Sequence, residues 1–250
     1  MSLQIENWGV AGSWSGFSTR EGEVDGRLCR IILPPNPKPG RLWIWKPEFF
    51  GAYPIIDEEM VRRGYHWVYL DVIDHYGCPK AISHGNALYE MLTRDFGFHR
   101  RVGFAALSRG GLFAYNWTLA NPGKVAAIYA DNAVADFRSW PGGKGIGPGS
   151  EGDWEKCRAM YGLDDGDLPG FSGNPIENVG LIAKGQVPLL QVYGDADEVV
   201  PISENALPVR AAWQAARAPY SEIIKPGGLH HPHGLDDPSP IADFFEKFLC

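Results

Sequence analysis

The sequence has no basic excess. Its 250 residues carry 23 Lys and Arg against 30 Asp and Glu, a formal charge of −7. A nucleic-acid surface would need a clustered surplus of the opposite sign. Cysteine is sparse: Cys29, Cys78, Cys157 and Cys250 are scattered and form no C-x-x-C pair. That excludes zinc-ribbon and dithiol redox motifs and leaves free thiols as the reading. No apolar run approaches the length that crosses a membrane. Met1 to Gly9 has neither the basic stretch nor the apolar core of a secretory leader. The expectation is a cytoplasmic protein, or an exported one whose leader is outside this sequence. Internal repeats and low-complexity linkers are also missing, and nothing fixes an oligomeric state.

What is present is globular. Hydrophobic residues make up 44% and charged residues 21%, which excludes disorder and collagen-like composition. A chain of this length buries a core without disulfide or metal staples, and it reads as a single domain. Aromatics reach 12%, with 9 Trp. Such side chains fill cores and also line sugar or aromatic ligand sites.

Short β-like runs alternate with helical stretches. Leu28 to Leu33, Leu42 to Trp45, Tyr65 to Leu70, Val102 to Leu107, Val125 to Tyr129, Val187 to Tyr193 and Tyr220 to Ile224 read as strands. Ile55 to Arg63, Ala81 to Phe96, Gly110 to Ala120 and Pro240 to Phe248 read as helices. Run length, β-branched and aromatic content, and Gly/Pro punctuation carry these assignments. The alternation predicts an α/β fold, a mostly parallel central sheet with helices on both faces. Ligands then sit outside the carboxyl ends of the strands. Between Ala133 and Val179 the pattern gives way to Gly, Pro, Trp and Asp. That segment, 133–179, is expected to be a small cap or lid over the active edge, the alternative being a solvated loop with short helices.

Three segments past strand ends carry chemistry. The first is Ala106-Leu107-Ser108-Arg109-Gly110, between a buried strand and a helix. A serine on such a turn is pushed out of the backbone, and small residues around it let strand and helix approach. Ala106 stands where glycine is usual. A plain serine helix cap is the other reading. The second is Gly194-Asp195-Ala196-Asp197-Glu198-Val199-Val200-Pro201, where an acid can orient a histidine. Asp197 lies further past the strand than Asp195, which is placed to bond loop amides. The third is Leu229-His230-His231-Pro232-His233-Gly234. Its histidines suit a general base. They also suit a metal site completed by Asp236 or Asp237, against which stand the stiffness of Pro232 and the divergence of adjacent side chains.

The order Ser108, Asp197, then His230 or His231 resembles that of the α/β-hydrolase superfamily, from Leu28 onward. The Ser-Arg-Gly-Gly turn, the Gly-Asp-Ala-Asp-Glu-Val-Val-Pro turn and the His-His-Pro-His loop are similar to those of bacterial serine esterase-like hydrolases, some of which are associated with polysaccharide breakdown. The resemblance implies Ser108 as nucleophile, His230 as base and Asp197 as its orienting acid. His231 stays open as the base, because Leu229 stands where the family has glycine. The resemblance also implies oxyanion donors at the backbone of Arg109 and in the loop after an early strand. Pro47 cannot donate there, which leaves Lys46 or Glu48.

Trp45, Lys46, Asp74, His75, Tyr76, Trp140 and His231 are the candidate substrate contacts, with Asp71, Asp131, Asn132 and Trp154 at the same edge. Mixed Asp, His, Tyr and Trp suits a hydroxyl-rich ligand. The expected activity is cleavage of small or carbohydrate-linked esters, for example deacetylation, through an acyl-enzyme and without a metal or organic cofactor. The expected partner is that small-molecule or oligosaccharide ester, not nucleic acid or a membrane. A serine peptidase of the same fold and a non-catalytic binding module are the competing readings.

Overall fold

The structure, a computed structural model, describes residues 4–164, 166–168 and 171–250. Among these residues nine strands form one sheet: β1 (Val10–Trp14), β2 (Phe17–Val24), β3 (Arg27–Ile32), β4 (Trp43–Trp45), β5 (His66–Leu70), β6 (Val102–Leu107), β7 (Val125–Asp131), β8 (Leu189–Gly194) and β9 (Tyr220–Lys225). Their spatial order is β1-β2-β3-β5-β4-β6-β7-β8-β9. The pairs β1/β2, β2/β3 and β3/β5 are antiparallel, and every pair from β5/β4 to β8/β9 is parallel.

Strands β5 to β8 are buried at every residue. Strands covered on both faces need small or apolar side chains throughout, and VGFAAL in β6 and VAAIYAD in β7 provide them. Gly103 of β6 leaves room for Phe245, whose ring would lie 2.9 Å from a Cβ at that position. Helices α1 (Ile55–Arg62) and α7 (Ser239–Phe248) cover one face through Met60, Val61, Ile241 and Phe245. Helices α2 (Pro79–Glu90), α3 (Gly110–Ala120), α5 (Pro175–Lys184) and α6 (Ala206–Ala216) cover the other through Leu88, Phe113, Trp117, Ile182 and Trp213.

Several features depart from expectation. The hairpin β1–β2 extends the sheet before Leu28. The helix expected over Ala81 to Phe96 ends as α-helix at Glu90 and continues as a π-helical turn, Met91–Asp95. Helix α6 lies where no element was expected. In the segment 133–179, α4 (Glu151–Tyr161) brings Trp154 and Cys157 onto Phe137, beside Tyr76, Leu112 and Val200. Pro175 to Val179 already belong to α5, which packs on α3 and α6. Residues 165, 169 and 170 of that segment lie outside the described residues.

A buried ion pair ties β4 to α1. Lys46 just past β4 is fully buried, and its Nζ donates to Asp57 Oδ2 at 2.7 Å and to the Ala52 carbonyl at 2.6 Å. Burial pushes the Asp57 carboxyl up to about 6, against the pull of Lys46. Removing one partner strands the other charge in a dry site. Asp57→Ala is expected to lower unfolding free energy by about 3–5 kcal/mol. Lys46→Met with Asp57→Leu should recover most of that loss in urea titrations. Equal losses in the single and double variants would contradict the pairing.

Candidate active site

Ser108 sits on the turn from β6 into α3 with φ of +46°. That left-handed conformation costs a residue with a Cβ about 1–2 kcal/mol. Backbone bonds hold it: the Ser108 N–H donates to Asp131 O at 2.9 Å, and its carbonyl accepts from Gly111 and Val134. A Cβ at Gly111 would lie 2.4 Å from Val134 O, whereas one at Gly110 would lie 3.4 Å from Pro47 Cγ. The second glycine of the pair therefore permits the close approach. Ala106 fits inside the strand, fully buried.

The Ser108 hydroxyl lies 3.0 Å from His230 Nε2. His230 Nδ1 lies 2.8 Å from Asp197 Oδ2, while Asp197 Oδ1 accepts the N–H groups of Val199 and Val200 at 2.9 Å each. Both acid oxygens are thus fixed, and the carboxylate aims at one imidazole edge. Ser108, His230 and Asp197 are 8%, 6% and 6% exposed, so the chain of bonds is shielded from bulk water. Asp195 instead accepts the Gly227 N–H at 2.6 Å. His231 turns its Nδ1 to the Tyr53 hydroxyl at 3.0 Å; partial loss of hydration at the pocket rim and the adjacent His230 and His233 hold its pKa below the ordinary value.

The end of β7 fastens these loops together. The Asn132 side-chain amide donates to His230 O at 2.7 Å and accepts the Gly194 N–H at 2.9 Å. Asp131 accepts from Gly234 N at 2.8 Å and lies 2.7 Å from His233 Nδ1 and 2.5 Å from the Tyr129 hydroxyl. Burial pushes the Asp131 carboxyl upward, but the hydrogen bond and charge of His233, the charge of Lys225 and the Tyr129 hydrogen bond together outweigh it and hold it below its ordinary value.

Arg109 is nearly buried, with its guanidinium 5.4 Å from the Phe49 ring centre and 5.5 Å from that of Tyr76. It bonds Glu48, Asp74 Oδ1 at 2.9 Å and Asp153 Oδ1 at 3.3 Å. Burial pushes Glu48 up to about 7, against the opposing charge of Arg109. Pro47 and Glu48 lie against the elbow, at the face of Gly110. Among the described residues no backbone hydrogen bond uses the N–H of Arg109 or of Glu48.

A pocket of about 300 Å³ opens over Ser108 and His230. Phe49, Tyr53, Trp140 and Val199 give it apolar walls; Arg109, Asp153, His231 and His233 give it polar ones. Of the expected substrate contacts, Trp140 and His231 line it. Trp45 does not: β4 is central, and Trp45 is enclosed by Phe104, Phe113 and Trp117. Lys46 does not, because its ammonium is committed to Asp57. His75 bonds its Nδ1 to Ile73 O and packs its ring on His84. Tyr76 is fully buried and donates to Asp153 Oδ1 at 2.6 Å. Asp74 holds Arg109 and Lys156, not the pocket wall. Phe49, Tyr53, Asp153 and Val199 were not anticipated. Val199, two residues past Asp197, and Phe49, next to Glu48 in the loop after β4, carried a positional signal.

No protein-family model matches the sequence, and no curated protein matches it. Solved structures do. Acylaminoacyl peptidase of Pyrococcus horikoshii superposes with a TM-score of 0.69 at 16% identity, over 98% of this chain and 43% of that one. A puromycin-hydrolyzing peptidase of Mycobacterium tuberculosis gives 0.70 at 15% identity, over 94% and 40%. EstE5, in crystals soaked with p-nitrophenyl butyrate, gives 0.67 at 17%, over 95% and 85%. The chain thus spans less than half the length of the two peptidases. These likenesses define its architecture as the α/β-hydrolase fold.

Asn132→Asp would set a carboxylate oxygen against the His230 carbonyl. A lost buried donor costs about 1–3 kcal/mol. If that falls on the histidine's placement, labelling of Ser108 by a fluorophosphonate is expected to slow about ten- to a hundredfold. Far-UV circular dichroism should stay native. An unchanged rate in stopped-flow labelling would contradict the role given to Asn132.

Proposed function

We propose that the protein is a serine hydrolase cleaving small carboxylic esters, with carbohydrate-linked acetyl esters the favoured class. The observation that carries this reading is the bonded series Ser108–His230–Asp197, with Ser108 facing the pocket from a left-handed turn. His230 Nε2 takes the Ser108 proton as Oγ attacks the ester carbonyl. Asp197, held by two backbone amides, fixes the imidazole tautomer and stabilises the imidazolium. The backbone N–H groups of Arg109 and Glu48 are the proposed donors to the oxyanion. His230 then protonates the departing alcohol, leaving an acyl-enzyme that water cleaves by the same steps in reverse order of partners.

The pocket supports the substrate class. About 300 Å³ accommodates a short acyl group with part of a sugar ring. Trp140, Tyr53 and Phe49 offer flat faces, while Asp153 and His231 offer hydrogen-bonding partners to hydroxyls. Asp153 at the wall also favours a second reading, in which the cationic amino group of a short peptide pairs there, and the superposing structures are mainly peptidases.

A fluorophosphonate is expected to add once to the wild-type protein, by intact mass, and not to Ser108→Ala. Turnover in Ser108→Ala should fall by about 10⁶-fold. Acetylated sugars and aryl acetates should turn over faster than aminoacyl anilides. Faster anilide cleavage would favour the peptidase. An adduct surviving in Ser108→Ala would overturn the nucleophile, and no adduct on folded wild-type protein would favour a binding module.

A further inference from the structure

The hydrolytic mechanism uses one histidine of the pocket wall, yet three converge there. One ring nitrogen from each of His230, His231 and His233 lies within 4.8 Å of those of the other two. The ring centres are 4.7–5.0 Å apart and the planes stand edge to face. In every ring Nδ1 already has a partner: Asp197 for His230 at 2.8 Å, the Tyr53 hydroxyl for His231 at 3.0 Å, and Asp131 for His233 at 2.7 Å. With Nδ1 held in each ring, Nε2 is the nitrogen a metal would take, in His230 by replacing its bond to the Ser108 hydroxyl, and all three rings line the pocket. Imidazoles whose other nitrogen is held by an oxygen acceptor, most often a carboxylate as for His230 and His233, are the usual protein ligands of Zn²⁺. Three such rings with an open fourth position form a complete set.

We propose that His230, His231 and His233 form a metal site that takes Zn²⁺, or Co²⁺ in its place, and that its occupation switches hydrolysis off. The inhibitory half rests on the serine-hydrolase reading; the binding half does not. The bonds balance without redox change. The His230 Nε2 lone pair, which accepts the Ser108 hydroxyl, goes to the metal, and Ser108 keeps its proton. His231 binds as the tautomer that donates Nδ1–H to the Tyr53 oxygen. Tetrahedral Zn–N bonds of about 2.0–2.1 Å set the nitrogens about 3.4 Å apart. The exposed ring of His231 is the one free to close that distance, since His230 and His233 are buried.

The test is a Co²⁺ titration of metal-stripped protein followed by visible absorption, with no substrate present. Wild type and Ser108→Ala are expected to take up one equivalent with tetrahedral bands. Tyr53→Phe should bind about 10–100-fold more weakly, and His231→Ala should lose the bands. Excess Zn²⁺ should displace Co²⁺ and abolish fluorophosphonate labelling of the wild type, with chelator restoring it. Absence of Co²⁺ uptake by folded protein, or uptake unchanged in His231→Ala, overturns the site. Unchanged labelling of Zn²⁺-loaded protein overturns the inhibition. Bands in wild type that His231→Ala lacks, with no labelling of metal-free protein, support the site while contradicting the serine-hydrolase reading, so the two fail separately.

Discussion

Asp131 and Asn132, the last residue of β7 and the one after it, bond three loops at once. The Asp131 carbonyl takes the N–H of Ser108, its carboxylate holds His233 and Gly234, and Asn132 reaches the backbone of His230 and Gly194. Ser108, the acid loop and the histidine loop come from three different strand ends, separated widely in sequence. Their side chains meet within hydrogen-bond distance because each loop is tied to this tip. A fully buried carboxylate is costly unless its oxygens are satisfied. Here an imidazole, a phenol and a backbone amide satisfy them.

The pocket chemistry follows from what that fastening leaves exposed. Arg109 would be a strong anion site on an open surface. In this protein its charge is spent on Glu48, Asp74 and Asp153, and two rings sandwich it. The groups left facing a ligand are aromatic faces, one carboxylate and histidine edges. On the proposed esterase reading, that surface favours a neutral hydroxylated ring over a carboxylate.

Much of this was legible in the sequence where local rules decide. The buried runs of β6 and β8 are long, apolar and punctuated, and Ser108 and Asp197 follow them; His230 follows the half-exposed edge strand β9, where a Gly-rich turn marks the strand's end. Other parts depend on packing that no local pattern records. The hairpin strand β1 is almost wholly exposed, so VAGSW shows no alternation. Helix α6 carries Pro208 in its first turn, tolerated there because that N–H has no helical acceptor, yet it breaks the written pattern. Trp45 and Lys46 follow the rule that strand ends carry chemistry, but they end the central strand, where neighbours on both sides bury them. His233 and Asp131 were visible as residues at the right edge; that they bond each other is a tertiary fact. Phe49 stands beside Glu48 in the loop read for oxyanion donors, but Tyr53 lies beyond it, where no motif points to the pocket.

In the proposed mechanism Ser108 is activated only while Asp197 orients His230, and substitution to asparagine isolates that bond. The measurement is the rate of fluorophosphonate labelling of Ser108 in Asp197→Asn against wild type, with thermal melts to show that both are folded. The expected result is a fall of about 10⁴-fold, the loss that follows when the imidazole is held in the wrong tautomer. Labelling at the wild-type rate would show that Ser108 is not activated through this series of bonds, and would contradict the account.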